Sequence, residues 1–451
     1  MAAGAELGNG PGMTGVEAIG TGRVWRPYTQ MATAPPPLRI ARGEGASLYD
    51  EAGRRYIDAI SSWWVTLHGH AQPRIAAAIA RQARELEQVI FAACTHRPAE
   101  ALAERLVALL PAGLTRVFYS DDGSTAVEVA LKMALQYWAN RGRPERQRLI
   151  ALEHAYHGDT TAAMAVSAPS YFTAPFSPWL FPVARAHTAY CHRCPVGRRR
   201  ESCHIECLGR LQELLAAHAA ETAAVIVEPL LQGAGGMIVQ PAEFLAGVRR
   251  LCDEFGVLLI ADEVLTGFGR TGTMFACEQA GIAPDIICLS KGLTGGFLPM
   301  AATACREEIF AAFLSEDRRR TFFHGHSFTA NPLGCAAALA SLEVFEQEAV
   351  WERIAAIAAA HRRHLQALRS HPRVADVRQA GTVAAIELRD RDGAPDYLAE
   401  IGPRLTRFYL ERGVLLRPLG NVVYVLPPYA IEPRDLEFVW QTIQDSLEAA
   451  A

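Results

Sequence analysis

Apolar runs of strand length recur along this chain and are separated by stretches with helical periodicity. Representative runs lie at 149–152, 224–227 and 257–261, and each is followed by an acidic residue. Continuous apolar runs of this kind are typical of parallel strands that are buried on both faces. Helices are expected between the strands, for example over 123–141 and 241–255. This alternation predicts an α/β fold with a mainly parallel central sheet.

Turn and capping signals predict the remaining elements. The segment 47–59 alternates on either side of a polar turn, which indicates a hairpin. Pro73 opens a helix that we expect to reach Val89, and a second amphipathic helix is expected over 98–110. Strands are predicted at 117–119, 148–152, 223–228, 257–262, 285–289 and 299–304, with further strands near 373–388 and 421–426.

The length of the chain, 451 residues, exceeds what a single hydrophobic core normally supports, so more than one domain is expected. We predict a disordered leader over 1–22, an N-terminal arm over 23–70, a large domain over 71–338 and a smaller α+β domain over 339–451. The arm is expected to pack on the small domain.

Composition narrows the classes of function. Half of the residues are hydrophobic, 20% are charged and the formal net charge is −4, which is typical of a soluble globular protein. No basic segment favours nucleic acid, and the apolar runs are too short to cross a bilayer. Residues 1–22 lack the pattern of a signal peptide. The ten cysteines then fit a reducing compartment, so a cytoplasmic protein is expected.

Two of the predicted strands end at residues that can carry chemistry. The run 257–261 stops at Asp262, and the run 286–289 is followed by Ser290 and Lys291. Open α/β sheets bind ligands at the carboxyl ends of their strands, so this carboxylate and this amine are expected at one edge. A desolvated lysine reacts with aldehydes, and a buried acid holds a proton on a ring nitrogen. Pyridoxal phosphate (PLP) requires such a pair.

Other segments provide candidate cofactor contacts. Gly123 and Ser124 begin a predicted helix after a strand, where backbone N–H groups can bind phosphate; an ordinary helix cap is the alternative. Tyr156 follows the strand at 149–152 and can stack on a flat ring, although many such aromatics are core residues. Ser327 is a second candidate phosphate ligand or a simple turn residue. Arg417 can bind a carboxylate with its two-pronged guanidinium group, or it is merely solvated.

The segment 267–272 matches G-x-G-x-x-G, the fingerprint of dinucleotide-binding folds. That fingerprint requires a strand running directly into the glycines, a helix opening on them and an acid about 20 residues further on. Five residues separate these glycines from the apolar run 257–261, and no helix signal follows. We therefore interpret the match as accidental and expect Arg270 to form a salt bridge or bind a carboxylate beside the site.

Four cysteines lie close together in a polar loop, with the spacing that can close a tetrahedral zinc site. The alternative is a surface loop of reduced thiols, and the spacing leaves both open. No catalytic part is expected for these residues, which are Cys191, Cys194, Cys203 and Cys207.

Taken together, these segments resemble the class III, fold-type I PLP-dependent aminotransferases from about Val24 to the C-terminus. The most specific motifs are Tyr156-His157-Gly158-Asp159, Glu228-Pro229, Asp262-Glu263-Val264 and Ser290-Lys291-Gly292. The resemblance implies a PLP-dependent transaminase with a large, mainly parallel-sheet domain and a smaller α+β domain.

A narrower signature resembles the members of this family that convert 8-amino-7-oxononanoate to 7,8-diaminononanoate in biotin biosynthesis. It comprises Trp25 to Thr29, Ser61 to Trp64, Ala134 to Trp138, Arg417-Pro418 and Leu426 to Tyr429. The amino donor implied is S-adenosylmethionine. His326-Ser327 and the segment 297–300 instead resemble a branch that uses L-lysine, and another class III transaminase for ω-amino acids or diamines is the further alternative.

The resemblance also implies a role for each matching residue toward the cofactor. Lys291 would bond to the cofactor's aldehyde and move the substrate proton, while Asp262 would pair with the ring nitrogen. Tyr156 would cover one face of the ring and Val264 the other. The phosphate would be held by Gly123, Ser124, His326 and Ser327.

Substrate contacts and the assembly follow from the same resemblance. Arg417 would hold the carboxylate of the keto acid, and Tyr28, Trp63 and Trp64 would line the slot for its aliphatic chain beside Tyr156 and Lys291. Ser327, with Gly325 and His326, would reach the active site of a neighbouring subunit. A homodimer with shared active sites is therefore implied.

Overall fold

The structure is a computed structural model that describes residues 23–389 and 397–449. The leader predicted over 1–22 lies outside the described residues. Within them, strands occur near the N-terminus, through the middle of the chain and in the C-terminal part. They are β1 (Ile40–Glu44), β2 (Ser47–Asp50), β3 (Arg55–Asp58), β4 (Leu114–Ser120), β5 (Arg148–Leu152), β6 (Ala184–Ala186), β7 (Thr222–Val227), β8 (Leu231–Gln232), β9 (Ile238–Val239), β10 (Leu258–Asp262), β11 (Ile286–Leu289), β12 (Ala301–Arg306), β13 (Val374–Ala380), β14 (Val383–Leu388), β15 (Val414–Leu415) and β16 (Val422–Val425).

Helices separate the strands and cover the largest sheet on both faces. They are α1 (Ser61–Trp64), α2 (Pro73–Glu85), α3 (Arg97–Leu109), α4 (Gly123–Asn140), α5 (Thr161–Val166), α6 (Gly209–His218), α7 (Ala242–Phe255), α8 (Glu307–Ala311), α9 (Pro332–Gln347), α10 (Val350–Leu368), α11 (Ile401–Glu411) and α12 (Pro433–Ala449). In the described ranges, none of these helices combines the length and apolar character needed to cross a membrane.

The largest sheet has seven strands in the order β4-β12-β11-β10-β7-β5-β6. Strand β10 runs parallel to β7 and β11, whereas β12 is antiparallel to both of its neighbours. Every residue of β7, β10 and β11 is buried, as their continuous apolar runs predicted. The prediction of an α/β fold with a mainly parallel sheet is confirmed.

Neighbouring residues of the central strands supply two separate apolar cores. In β10, Leu259 belongs to one core and Ile260 to the other, because successive side chains of a strand point to opposite faces. Helix α4 covers one face with Val127 and Ala130, and α7 covers the other with Phe244. The sheet is thereby held rigidly between two layers, and its strand ends are fixed in position.

The helix predicted over 73–89 ends earlier than expected. Helix α2 stops at Glu85, and Leu86 takes an extended backbone with φ of −161°. The Gln82 side chain donates to the Leu86 carbonyl at 2.9 Å, so a side chain binds a carbonyl just beyond the helix end. The prediction of Val89 as the end was wrong for this reason.

The N-terminal segment contacts the C-terminal part of the chain. The hairpin predicted over 47–59 is present as β2 and β3, and β3 pairs in parallel with β15, with Ile57 opposite Val414. Arg55 also forms an ion pair with Asp435 in α12. The domain boundaries remain a prediction, and the one placed at 338 falls inside the continuous helix α9.

Candidate active site

The strand ends of the central sheet deliver an acid and an amine to one cavity. Asp262 is the last residue of β10 and lies opposite Cys288 of β11, so Lys291 follows a short distance beyond the same edge. Both residues line a cavity of about 660 Å³, a volume usual for cofactor sites. Four further predicted residues line it with them: Gly123, Ser124, Tyr156 and Val264.

Asp262 is held at both carboxylate oxygens. Oδ1 accepts the backbone N–H of Val264 at 3.1 Å, and Oδ2 lies 2.7 Å from Nδ1 of His157. Both Asp262 and His157 are buried. The carboxylate is therefore fixed in direction, as a group that pairs with one ring nitrogen must be.

The Lys291 amine lies in surroundings that disfavour its charge. Desolvation lowers the pKa of Lys291, while the negative charges of Asp262 and Glu228 raise it in part. The amine also lies 5.3 Å from the centre of the Trp64 ring. An amine that loses its proton more readily than an exposed lysine is suited to attack an aldehyde.

The start of α4 lines the first cavity with Gly123 and Ser124. The helix cap is Asp122, whose side chain and that of Thr125 form a capping box. The ordinary cap considered for this segment is therefore present, and phosphate binding at Gly123 and Ser124 stays a prediction. A Cβ added at Gly158 would lie 2.1 Å from Ser124 Oγ, and one at Gly123 would lie 2.5 Å from Val264. The glycines thus keep this helix start open and allow close backbone approach.

Tyr156 is positioned by the acid at the end of β7. Its backbone N–H donates to Glu228 Oε1 at 2.9 Å, and Glu228 Oε2 accepts the Gly233 N–H at 3.1 Å. Burial, with a smaller contribution from the charge of Asp262, raises the pKa of Glu228 to about 7. Burial also raises the pKa of the Tyr156 hydroxyl, so this phenol stays neutral at ordinary pH.

A second cavity, of about 460 Å³, adjoins the first. Trp64, Tyr156 and Lys291 line both cavities, so the two adjoin at these residues. The predicted substrate residues Tyr28, Trp63 and Arg417 line the second.

Arg417 is half-buried in this second cavity. Its Nη2 donates to the Tyr397 hydroxyl at 3.1 Å, and the guanidinium carbon lies 4.9 Å from the centre of the Trp63 ring. Within the described residues, no carboxylate lies within ion-pair distance of Arg417. Its remaining N–H groups are therefore available to an anionic ligand.

Several residues of the site were not predicted from sequence. Tyr28 donates a short hydrogen bond to Asp159, and its ring meets Phe172 edge to face at 5.5 Å. Phe172 in turn packs against Tyr397, with ring centres 4.7 Å apart. Asp159 stands within the motif 156–159 and could have been chosen from it, whereas Phe172 and Tyr397 stand in loops and have no distinguishing pattern.

Gly325, His326 and Ser327 do not line either cavity. Gly325 and Ser327 are exposed, and the Ser327 carbonyl accepts a hydrogen bond from Gln88 at 2.5 Å. His326 lies 3.2 Å from Asp121. A single chain does not bring these three residues to the cofactor recess, and the part assigned to them remains a prediction that needs a second copy.

Two further predictions concern Arg270 and the four cysteines of the polar loop. Arg270 is buried and donates to the backbone carbonyls of Pro427 and Thr66. It forms no salt bridge with any described residue, so that half of the expectation was wrong, and its binding of a carboxylate stays a prediction. All four loop cysteines are free thiols, and Cys203 lies 3.1 Å from a Glu206 carboxylate oxygen. Across the part of the chain that the structure describes, no three His, Cys, Asp or Glu side chains form a metal ligand set.

Comparison with known proteins agrees with this geometry. The sequence profile of the class-III aminotransferases matches residues 28–447. An adenosylmethionine-8-amino-7-oxononanoate aminotransferase from Synechococcus elongatus is 51% identical over 94% of this chain and 98% of its own length. The enzyme of that name from Geobacter sulfurreducens is 46% identical over 94% and 95%.

Solved structures give the same result. The crystal structure of the enzyme of that name from Methanocaldococcus jannaschii has a TM-score of 0.88 and 39% identity, over 95% of this chain and 97% of that one. An amine transaminase from an uncultivated Pseudomonas species, crystallised in its PLP-bound form, has a TM-score of 0.90 and 34% identity over 96% and 100%.

The fold and the paired acid and amine define a transaminase site, and the chain belongs to the class-III aminotransferases. It is a PLP-dependent enzyme of that family.

Proposed function

We propose that the protein transfers an amino group to 8-amino-7-oxononanoate and forms 7,8-diaminononanoate, a step of biotin biosynthesis, with S-adenosylmethionine as the amino donor. The observation that carries the proposal is the pair of adjoining cavities, both lined by Lys291, with Arg417 lining only the second. The names of the relatives at 46% and 51% identity support the same reaction.

The residues of the first cavity fit PLP. When bound, PLP serves as an electron sink that takes the amino group from one substrate and passes it to the next. The open helix start at Gly123 and Ser124 suits its phosphate, and Asp262 suits its ring nitrogen. Tyr156 and Val264, which line the same cavity, would cover the two ring faces. Lys291 would hold the aldehyde carbon and carry the proton to and from the substrate.

The second cavity fits the keto acid substrate, which has a long apolar chain and a terminal carboxylate. Arg417 would bind the carboxylate with its free N–H groups. The rings of Tyr28, Trp63 and Trp64 would enclose the chain and leave its carbonyl near Lys291. Apolar walls of this kind discriminate weakly between substrates, so the same slot can receive the donor in the other half-reaction.

The choice of donor rests on the charge of this slot. Asp159 is exposed on the wall of both cavities. The Tyr28 hydroxyl donates to it, and the Phe172 ring packs against Tyr28. A carboxylate among aromatic faces attracts a cationic group such as a sulfonium. L-lysine is also cationic and is the alternative donor, as His326-Ser327 suggested.

The assembly we propose is a homodimer in the cytoplasm with shared active sites. Gly325 and Ser327 are exposed, and they stand beside two aromatic side chains that are also exposed, Phe323 at 72% and Phe328 at 61%. A second copy covering this segment would bury those rings. Ser327 would then reach the phosphate site of that second copy. All ten cysteines are free thiols, which fits a reducing compartment.

Incubation with 8-amino-7-oxononanoate and a panel of donors tests the proposal. We expect 7,8-diaminononanoate, detected by mass spectrometry, with S-adenosylmethionine. Product with L-lysine alone would replace the donor and keep the reaction. Absence of product with every donor, while the protein still binds PLP and deaminates ω-amino acids or diamines, would overturn the assignment in favour of the other class III activity.

A further inference from the structure

Asp58, the last residue of β3, is a buried acid that none of the roles above uses. It is 0% exposed, and its carboxylate binds the turn over 60–64 that follows the strand. Oδ1 accepts the backbone N–H groups of Ile60 at 3.2 Å and of Ser62 at 2.9 Å. Oδ2 accepts the Ser62 hydroxyl at 2.9 Å and lies 2.8 Å from Nε2 of His70. One carboxylate therefore holds the turn at three points, and His70 holds the carboxylate.

The 60–64 turn needs such contacts because its backbone is strained. Ser61, Ser62 and Trp64 have φ values of 51°, 59° and 69°, in the left-handed region that residues other than glycine rarely occupy. Conformations of this kind persist only where the surrounding structure holds them. Ser61 has an anchor elsewhere, since its hydroxyl donates to the Leu426 carbonyl at 2.8 Å. For Ser62 the anchor is Asp58.

The residue after Ser62 forms part of the substrate slot. Trp63 lines the second cavity, and its ring lies 4.9 Å from the guanidinium carbon of Arg417. The ring also meets that of Tyr28 edge to face at 5.6 Å. Trp63 is 42% exposed, so the direction of its ring depends on the backbone that carries it.

The neighbouring ring is held in a different way. Trp64 is 5% exposed, its indole N–H donates to the Tyr424 hydroxyl at 3.0 Å, and Arg270 donates to its carbonyl at 3.4 Å. These contacts come from other parts of the chain. Of the two adjacent tryptophans, Trp63 is therefore the one whose position depends most on Asp58.

We propose that Asp58 is a positioning residue for the keto acid: it holds the 60–64 turn in its strained form, so that the Trp63 ring lies beside Arg417 in the substrate slot. The part of this inference that concerns the substrate rests on the proposed function, because Arg417 is given the carboxylate of the keto acid there. The direction of the Trp63 ring does not depend on that assignment.

Two substitutions separate the hydrogen bonds of Asp58 from its volume. Asp58→Leu keeps a similar size and removes every acceptor, whereas Asp58→Asn keeps an oxygen that can accept both backbone N–H groups. Asp435→Leu is the matched control, because Asp435 is also buried and forms an ion pair with Arg55 of the same strand. It shows what a general loosening of β3 does.

The first readout is the ¹⁹F spectrum of holoenzyme labelled with 5-fluorotryptophan. The chain has seven tryptophans, and Trp63→Phe identifies the Trp63 signal by its loss. The second readout is the pair KM and kcat for 8-amino-7-oxononanoate. A substitution that only weakens the fold lowers the melting temperature and does not select the Trp63 signal or KM.

In Asp58→Leu we expect the Trp63 signal to shift or split more than any other tryptophan signal. KM for the keto acid should rise about tenfold to a hundredfold, as when only about a tenth to a hundredth of the molecules keep the binding-competent turn. The change in kcat should be smaller, because saturating substrate selects that form. Asp58→Asn should lie close to wild type in both readouts. Asp435→Leu should lower the melting temperature and move neither.

If Asp58→Leu does not fold, Ser62→Ala, which removes one of the three contacts, should give smaller changes in the same direction. An unchanged Trp63 signal in the folded Leu variant, or in Ser62→Ala when that variant stands in for it, would overturn the proposal. So would an Asn variant no better than the Leu variant, or the same changes in Asp435→Leu.

A displaced Trp63 signal with an unchanged KM would also overturn the proposal, because the turn would then not serve the substrate. The ¹⁹F readout needs no substrate. A wild-type protein that makes no diaminononanoate would therefore defeat the proposed function, and the spectrum would still decide whether Asp58 holds Trp63 in place.

Discussion

The Lys291 amine lies 5.3 Å from the centre of the Trp64 ring, and the Trp64 indole N–H donates to the Tyr424 hydroxyl at 3.0 Å. The ring that borders the amine is thus fixed to β16 of the C-terminal part. Because Trp64 and Lys291 line both cavities, a substrate in the second cavity meets the amine beside a wall that cannot rotate away. The site depends on contacts between the central sheet and the C-terminal strands.

The role of Lys291 can be tested cleanly, because the chain contains only one other lysine, Lys132. Lys291→Ala should lower turnover by about 10²–10⁴-fold or more, the range that general acid–base catalysis supplies. Borohydride reduction of the holoenzyme followed by mass spectrometry should find PLP attached at 291. Lys132→Ala is the control and should retain both activity and labelling; PLP attached at 132 instead would reject the assignment.

The sequence predicted the first cavity well because its residues follow strand ends. Asp262 ends one apolar strand, while Lys291 and Tyr156 follow two others after two and four residues. Parallel strands bring such ends to one edge. Gly123 and Ser124 could be predicted for the same reason, since they begin the helix after β4. In these cases the local pattern also determines the place of the residue in three dimensions.

The second cavity could be predicted only in part, because its walls come from loops far apart in the chain. Phe172 and Tyr397 pack at 4.7 Å, yet neither follows an apolar run nor stands in a recognisable motif. Glu128 stands in α4, four residues after Ser124. It accepts the Ala162 N–H at 2.8 Å and so binds the start of α5. Contacts of this kind depend on tertiary packing, which periodicity does not encode.

Arg417 should affect one half-reaction more than the other. Arg417→Ala is expected to raise KM for the keto acid by about tenfold to a hundredfold, the range for losing hydrogen bonds between charged groups. KM for the amino donor should change less, and Arg417→Lys should lie between because it keeps the charge without the fork. Arg412→Ala is the control, since Arg412 is exposed. Equal changes for both substrates would argue against the carboxylate role.

Glu228 should make stability depend on pH. Its pKa is about 7 in the folded protein against 4.5 for the ordinary group, so the folded state binds more protons between these values. Stability then falls as pH rises from about 4.5 to about 7, by about 3 kcal/mol in unfolding free energy. Glu228→Gln removes this titration.

The measurement is urea unfolding of the cofactor-free protein at several pH values. The unfolding free energy of Glu228→Gln minus that of wild type should increase steadily as pH rises through that range. Replacing a hydrogen-bond acceptor adds a constant cost, which shifts this difference equally at every pH. Glu352→Gln, at an exposed position in α10, should run parallel to wild type. A Glu228→Gln curve that also stays parallel to wild type would show that Glu228 is ionised throughout.

Shared active sites can be tested with mixed dimers. If Ser327 serves the neighbouring subunit, a dimer of one Lys291→Ala chain and one Ser327→Asp chain has one site with both defects and one intact site. Each parent homodimer should be inactive or weak, because the Ala variant lacks the amine and the carboxylate introduced by Ser327→Asp would repel the phosphate in both sites. The mixed dimer, isolated with two affinity tags, should recover about half of the wild-type activity per dimer, since independent sites add.

If Ser327 instead acted within its own chain, each site of the mixed dimer would carry one defect and activity would stay low. Arg319→Asp, at a position where the side chain is 90% exposed, serves in place of Ser327→Asp as the control that also introduces a carboxylate, and should leave its homodimer active.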